Sequence, residues 1–179
     1  MNKWMVASAA LILAAQPGAA LAQDGAALDC PVLSASADQR AAIGNAMIGA
    51  TDDATRDDLF RQLSGIVEKC ATEHGIAKEQ QGDYFDYSLA RASREWLAVD
   101  LGKVGMSPLV VDKALDFGPG GTNPDLSEDM SEPQILKIVQ AYTEEGIDID
   151  KVESGVWEKV GAYAAATSIY WRKRKLLPH

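Results

Sequence analysis

Residues 78–105, "KEQQGDYFDYSLARASREWLAVDLGKVG", decide the fold. Phe85, Leu89, Ala92, Trp96 and Val99 recur at helical spacing along one stripe, and Leu97, Leu101 and Val104 form a second stripe beside it. A helix apolar over so wide an arc has neighbours on several sides, which places it near the centre of a bundle. Gly105 closes it, because glycine reaches the left-handed conformation at low cost.

Working toward the N-terminus, Thr51-Asp52-Asp53 supplies capping oxygens for a helix carrying Leu59, Leu63, Ile66, Val67 and Cys70 on one face and stopping at Gly75. Ser36-x-x-Gln39 has the form of a capping box and starts a shorter helix through Ile43, Met47 and Ile48 to about Ala50. Residues 23–35 show no apolar rhythm and read as an extended lead-in held by Cys30. Toward the C-terminus, Ser107-Pro108 opens a helix with Leu109, Val110, Val111, Ala114 and Leu115 that ends at Gly118. Residues 118–131, "GPGGTNPDLSEDMS", form a long acidic loop. Ser131-x-x-Gln134 begins a helix through Ile135, Ile138, Val139 and Tyr142 to Gly146. Asp148 or Asp150 begins the last one, reaching about Leu177, with Val152, Val156, Val160, Tyr163 and Thr167 on one face and the small residues Gly161, Ala164, Ala165 and Ser168 allowing close approach. No segment alternates with period two, so the expectation is an all-α, single-domain bundle of five to six helices over residues 36–179.

Residues 1–22 have the layout of a cleaved signal peptide: Lys3, an uncharged apolar run from Met5 to Ala15, and the small-x-small site Ala20-Leu21-Ala22. The run falls short of the ~20 residues that a membrane span needs. Gln23 stands where a lipoprotein would have cysteine. The expected location is therefore outside the cytoplasm, periplasmic in a Gram-negative cell or extracellular, with no transmembrane segment after signal removal. Losing Lys3 takes the formal charge from −9 to −10, which disfavours nucleic acid as a partner. The two cysteines, Cys30 and Cys70, in an exported chain imply one disulfide, and the absence of C-x-x-C spacing favours a structural bond over a redox centre.

The sequence contains no C-x-x-C-H, H-E-x-x-H, G-x-S-x-G or phosphate-loop motif, and no cofactor or metal is implied. Gly118-Pro-Gly120-Gly121 follows a helix and leads into acid, so it is no dinucleotide fingerprint. Of two histidines, His179 is the last residue and His74 suits the negative end of its helix. Asp116, Asp125, Glu128, Asp129 and Glu132 match no EF-hand spacing and read as solvated acid. Tyr84, Tyr87, Trp96, Trp157 and Tyr163 are the candidate ligand-binding residues, since aromatic rings with polar edges suit the mouth of a bundle as well as its core. Arg172, Lys173, Arg174 and Lys175 spread around a helix end, where cations stabilise the negative terminus; they are also the candidate peripheral contact with anionic lipid or an acidic partner. The leading functional expectation is a non-enzymatic binding or interaction module with an unidentified protein or small-molecule partner. Second is a carrier of a small or apolar ligand in a bundle pocket, and third a carboxylate-dependent hydrolase.

Overall fold

The computed structural model describes residues 18–177. Seven α-helices and no strand occur among them: α1 (Gly18–Ser34), α2 (Ala37–Met47), α3 (Asp53–His74), α4 (Gln81–Lys103), α5 (Pro108–Ala114), α6 (Glu132–Glu144) and α7 (Ser154–Arg174). Single 3-10 turns, Lys78–Gln80 and Ile149–Lys151, precede α4 and α7. The helices form one all-α domain. No described helix is long and apolar enough to cross a membrane.

The central role expected of residues 78–105 is what α4 has: it packs against α1, α2, α3, α5 and α7, with its longest contact along α7. Two apolar clusters meet on it. Tyr84, Tyr87 and Ala92 join Ile43, Leu63, Val67, Cys70 and Leu177 in the first, and Leu97 and Leu101 join Met106, Val111, Ile138, Tyr142 and Val160 in the second. The outward end of the expected stripes differs, because α7 takes the Leu97–Leu101 side: Val99 is 63% exposed and Val104 is 56% exposed. Small residues let the helices approach. A Cβ at Gly44 of α2 would overlap the Trp96 indole, so this crossing requires glycine. Ser88 and Ser93 are buried with their hydroxyls donating to the Tyr84 and Leu89 carbonyls at 2.6 and 2.8 Å.

The helix starts read from sequence are present as hydrogen bonds. Ser36 Oγ accepts from Gln39 N at 3.1 Å while Gln39 Oε1 accepts from Ser36 N at 2.9 Å. Asp52 accepts from Thr55 N at 2.9 Å, and Gly75 ends α3 at φ 67°.

Residues 23–35 depart from the expected extended lead-in: 23–34 belong to α1. Ala27, Leu28, Pro31 and Val32 recur at i, i+1, i+4 and i+5, a short helical face, and all four are buried. Pro31 concealed it, since an interior proline removes one helical hydrogen bond. The carbonyl it leaves without an amide partner is that of Ala27, four residues back, and the Tyr84 hydroxyl of α4 donates to that oxygen. Arg91 adds bonds to the Leu28 carbonyl at 3.0 Å and to Asp29 at 2.6 Å. Cys30 on this helix is disulfide-bonded to Cys70 of α3, with Cα atoms 5.9 Å apart. The positive start and apolar run of the expected signal peptide lie outside the described residues. Cleavage after Ala22 would leave the buried face of α1 in place.

Asp100 ties α4 to α7 by accepting from Lys159 at 2.6 Å, with Lys103 at 3.3 Å on the same carboxylate. The Lys159 bond above all holds this carboxyl below its ordinary value of 3.8. A depressed carboxyl stabilises the fold fully above its unfolded value and ceases to do so as pH falls through the lower folded one. Asp100→Asn is therefore expected to cost about 1 kcal/mol at neutral pH, and the difference from the unsubstituted protein should shrink below pH 3.8 and vanish only once the pH is under the lowered folded value. Urea denaturation at stepped pH measures it, and a difference that persists in strong acid would show that the carboxylate charge is not responsible.

Candidate functional site

Ile135, Ile138 and Val139 of α6 recur at i, i+3 and i+4, and so do Trp157, Val160 and Gly161 of α7. That spacing gives each helix one apolar ridge. The two ridges face a common cleft of about 610 Å³, lined also by Met130 from the acidic loop and by Ile149 and Asp150 from the 3-10 turn before α7. The cleft exists because α6 packs chiefly on α5 instead of lying along α7. An edge-on contact between Tyr142 and Trp157, with ring centroids 5.9 Å apart, joins α6 to α7. The Tyr142 hydroxyl is fixed in turn by donating to the Ser107 carbonyl at 3.0 Å, and burial pushes this phenol up to about 12.

The acidic loop is held so that Met130 reaches the cleft. Asn123 is buried and its side chain bonds Gly118 and Gly121 at 2.8–2.9 Å. Ser168 of α7 donates to the Pro124 carbonyl at 2.8 Å and accepts from Leu126 N at 3.0 Å. Asp116 and Asp125, two of the acids considered for a cation, hold the loop together instead. Asp116 accepts from Thr122 N and Asp125 from Ser127 N, bonds that keep both carboxyls below the ordinary range.

Of the five aromatic candidates, the structure brings Trp157 to the cleft. Tyr84, Tyr87 and Tyr163 are at most 2% exposed and lie in the core. Tyr84 serves the Ala27 carbonyl, Tyr87 stacks on Tyr170 at 5.2 Å, and Tyr163 donates to Asp112 at 2.9 and 3.0 Å. Trp96 packs against Gly44. Sequence spacing assigns no site role to Met130, Ile135, Val139 or Ile149; the i, i+3, i+4 pattern repeated on α6 and α7 is a signal that finds Ile135 and Val139, whereas Met130 and Ile149 come from the loop and the 3-10 turn and carry no such signal.

At the basic end, Lys173 bridges Asp83 at 2.7 Å and Asp86 at 2.8 Å, which hold its amine above the ordinary lysine value, and Arg172 pairs with Asp125. These two cations neutralise carboxylates of the protein itself. Arg174 is half-buried in the last turn of α7, and Lys175 is exposed just beyond it.

The lining of the cleft is apolar apart from the indole of Trp157 and one carboxylate, that of Asp150. No protein-family model, curated protein or solved structure matches this chain.

Proposed function

We propose that the protein is an exported binding module that takes a small apolar or amphiphilic molecule into the α6–α7 cleft. The observation that carries this reading is the cleft itself: about 610 Å³ between two apolar ridges, within the range of about 300–1,000 Å³ typical of small-molecule sites. Asp150 is the ionisable residue in its lining. Glu128, Asp129 and Glu132 flank Met130, in a chain of charge −9. A cationic head group is thus favoured over an anionic one, since a carboxylate or phosphate would be repelled at this rim. Export is supported by the pattern of residues 1–22 and by the Cys30–Cys70 bond.

A second reading, a protein partner that inserts an apolar side chain, is favoured by Ile135 and Leu136, which stand 45% and 58% exposed on α6. Native mass spectrometry of the protein from its own source separates the two, as a retained small molecule or as a partner chain.

Gly161 gives a direct test, because it lines the cleft and a Cβ there would make ordinary contact with Met130. Gly161→Phe should fill the space without disturbing the core. Titration with a medium-chain alkylamine below its micelle concentration is expected to change Trp157 fluorescence saturably. The matching alkanoate should bind more weakly. Gly161→Phe should weaken alkylamine binding by at least about tenfold, equivalent to 1.4 kcal/mol, at unchanged far-UV circular dichroism. Equal affinity in the two proteins would exclude the cleft as the site.

A further inference from the structure

Away from the cleft, metal-binding side chains converge on the disulfide. Cys30 Sγ, a Glu73 carboxylate oxygen and an imidazole nitrogen of His74 all lie within 4.8 Å of one another, with Cys30 and His74 half-buried and Glu73 exposed. Cys70, bonded to Cys30, precedes Glu73 and His74 by three and four residues on α3. That spacing puts all three side chains on one helix face. α3 therefore turns a Cys-x-x-Glu-His face toward a cysteine on α1.

The set matches what a thiophilic divalent ion requires. Zinc takes thiolate, imidazole and carboxylate ligands at about 2.0–2.3 Å in a tetrahedron, so its ligand atoms stand about 3.3–3.8 Å apart. Cys30, Glu73 and His74 reach that spacing by closing about an ångström, within reach of the exposed Glu73 side chain, whereas the Cys70 sulfur, now bonded to Cys30, must part from it on reduction to become the fourth ligand. The cluster sits at the last turn of α3, the negative end of the helix, which favours a cation. Ser34 Oγ lies 3.9 Å from both sulfurs, placed to hydrogen-bond a thiolate as a supporting neighbour.

We propose that the reduced protein binds zinc, or an ion of like chemistry, through Cys30, Cys70, Glu73 and His74, so that disulfide and metal are alternative clamps joining α1 to α3. A protein dithiol of the thiol–disulfide exchange class supplies the reduction. One of its thiolates attacks a sulfur of the Cys30–Cys70 bond, its second thiol resolves the mixed disulfide, and two electrons and two protons pass to Cys30 and Cys70 as the dithiol becomes a disulfide. Zinc then binds both sulfurs as thiolates and displaces their two protons to solvent, with neutral His74 and ionised Glu73 completing the site. Once the mixed disulfide is resolved the metal takes the place of the covalent tie, and α1 stays docked.

The test uses the full chain, oxidised or reduced with a phosphine, which adds no competing thiol. Zinc affinity is read against a chromophoric chelator and the ligand set from the cobalt(II) spectrum. The reduced protein should bind one zinc and show a tetrahedral cobalt spectrum with thiolate charge-transfer bands, while the oxidised protein should show neither. His74→Ala and Glu73→Gln should each weaken zinc by at least about tenfold. Neither touches the disulfide, so the oxidised fold serves as their folding control. Equal zinc affinity in oxidised and reduced protein, or affinity in the reduced protein unchanged by both substitutions, would overturn the proposal. If reduction alone loosens α1, zinc should restore the far-UV helix signal, and failure to restore it would also count against the site.

Discussion

Replacing Cys30 and Cys70 together by alanine is expected to lower the unfolding free energy by about 2–5 kcal/mol, a large part of the 5–15 kcal/mol typical of a domain. The bond spans 40 residues of sequence, and closing a loop of that length removes unfolded-chain entropy worth roughly 4 kcal/mol in the chain-entropy model. Cys70 is 1% exposed, so alanine is preferable to serine, whose hydroxyl would be buried there. The loss should not be spread evenly. α1 is joined to the body by Ala27, Leu28 and Val32, the Tyr84 hydroxyl and the Arg91 bonds, whereas α4 and α7 share the longest contact in the domain. Hydrogen exchange is therefore expected to show residues 27–34 opening first, with α4 and α7 retaining protection close to that of the oxidised protein. Metal-free buffer keeps this measurement independent of zinc. A loss under 1 kcal/mol would mean that apolar contact alone holds α1.

The elements legible in the sequence are those whose ends carry local chemistry. α2 and α3 have their start written in Ser36, Gln39 and Asp52, and α3 has its stop in Gly75; all four residues act as read. α1 escaped because its determinants are distant. The partner of the Ala27 carbonyl is Tyr84, 57 residues away, and nothing within residues 23–35 announces that the hydrogen bond lost to Pro31 is replaced. The face that α4 turns inward was readable only in part, because stripes on both sides of Leu97 are apolar and the choice between them is made by α7.

The site was less legible than the fold, for a related reason. Aromatic residues at helical spacing mark apolar contact without telling core from cleft. Tyr84, Tyr87 and Tyr163 became core because each hydroxyl or ring meets a partner from another helix. Trp157 became a wall because α6, opposite, leans toward α5. The direction in which α6 leans is a property of the packed domain and has no signature in any one segment. The cysteine cluster is an intermediate case: Cys70, Glu73 and His74 share a face by spacing alone, while the approach of Cys30 needed α1.

Arg94→Met is expected to cost about 2–4 kcal/mol, somewhat below the roughly 3–5 kcal/mol for removing one partner of a fully buried ion pair, because both side chains keep some exposure. Arg94 of α4 donates to Asp112 of α5 at 3.0 Å and to Thr167 of α7 at 3.1 Å. Its guanidinium lies over the Tyr163 and Tyr170 rings, 5.4 Å from each centroid. The Asp112 side chain is 17% exposed and the Arg94 side chain 25%, so neither charge recovers its full hydration if the other is removed. Burial pushes the Tyr163 phenol up, so it stays neutral and donates to Asp112. With Arg94 gone, that single neutral donor is what remains of the charged network for the carboxylate. Arg94→Lys should recover part of the loss, since a point charge can reach Asp112 but cannot also fork to Thr167. Arg94→Met with Asp112→Leu should be more stable than Arg94→Met alone, because the unpaired charge is removed with its partner. A double-mutant cycle from urea denaturation measures the coupling, and additive effects would show that the pair does not act as a unit. The consequence reaches the cleft. Tyr163 follows Gly161 by two residues, so its bond to Asp112 helps set which face of α7 turns toward α6. Arg94→Met should accordingly weaken alkylamine binding as well as stability, although Arg94 is not among the residues that line the cleft.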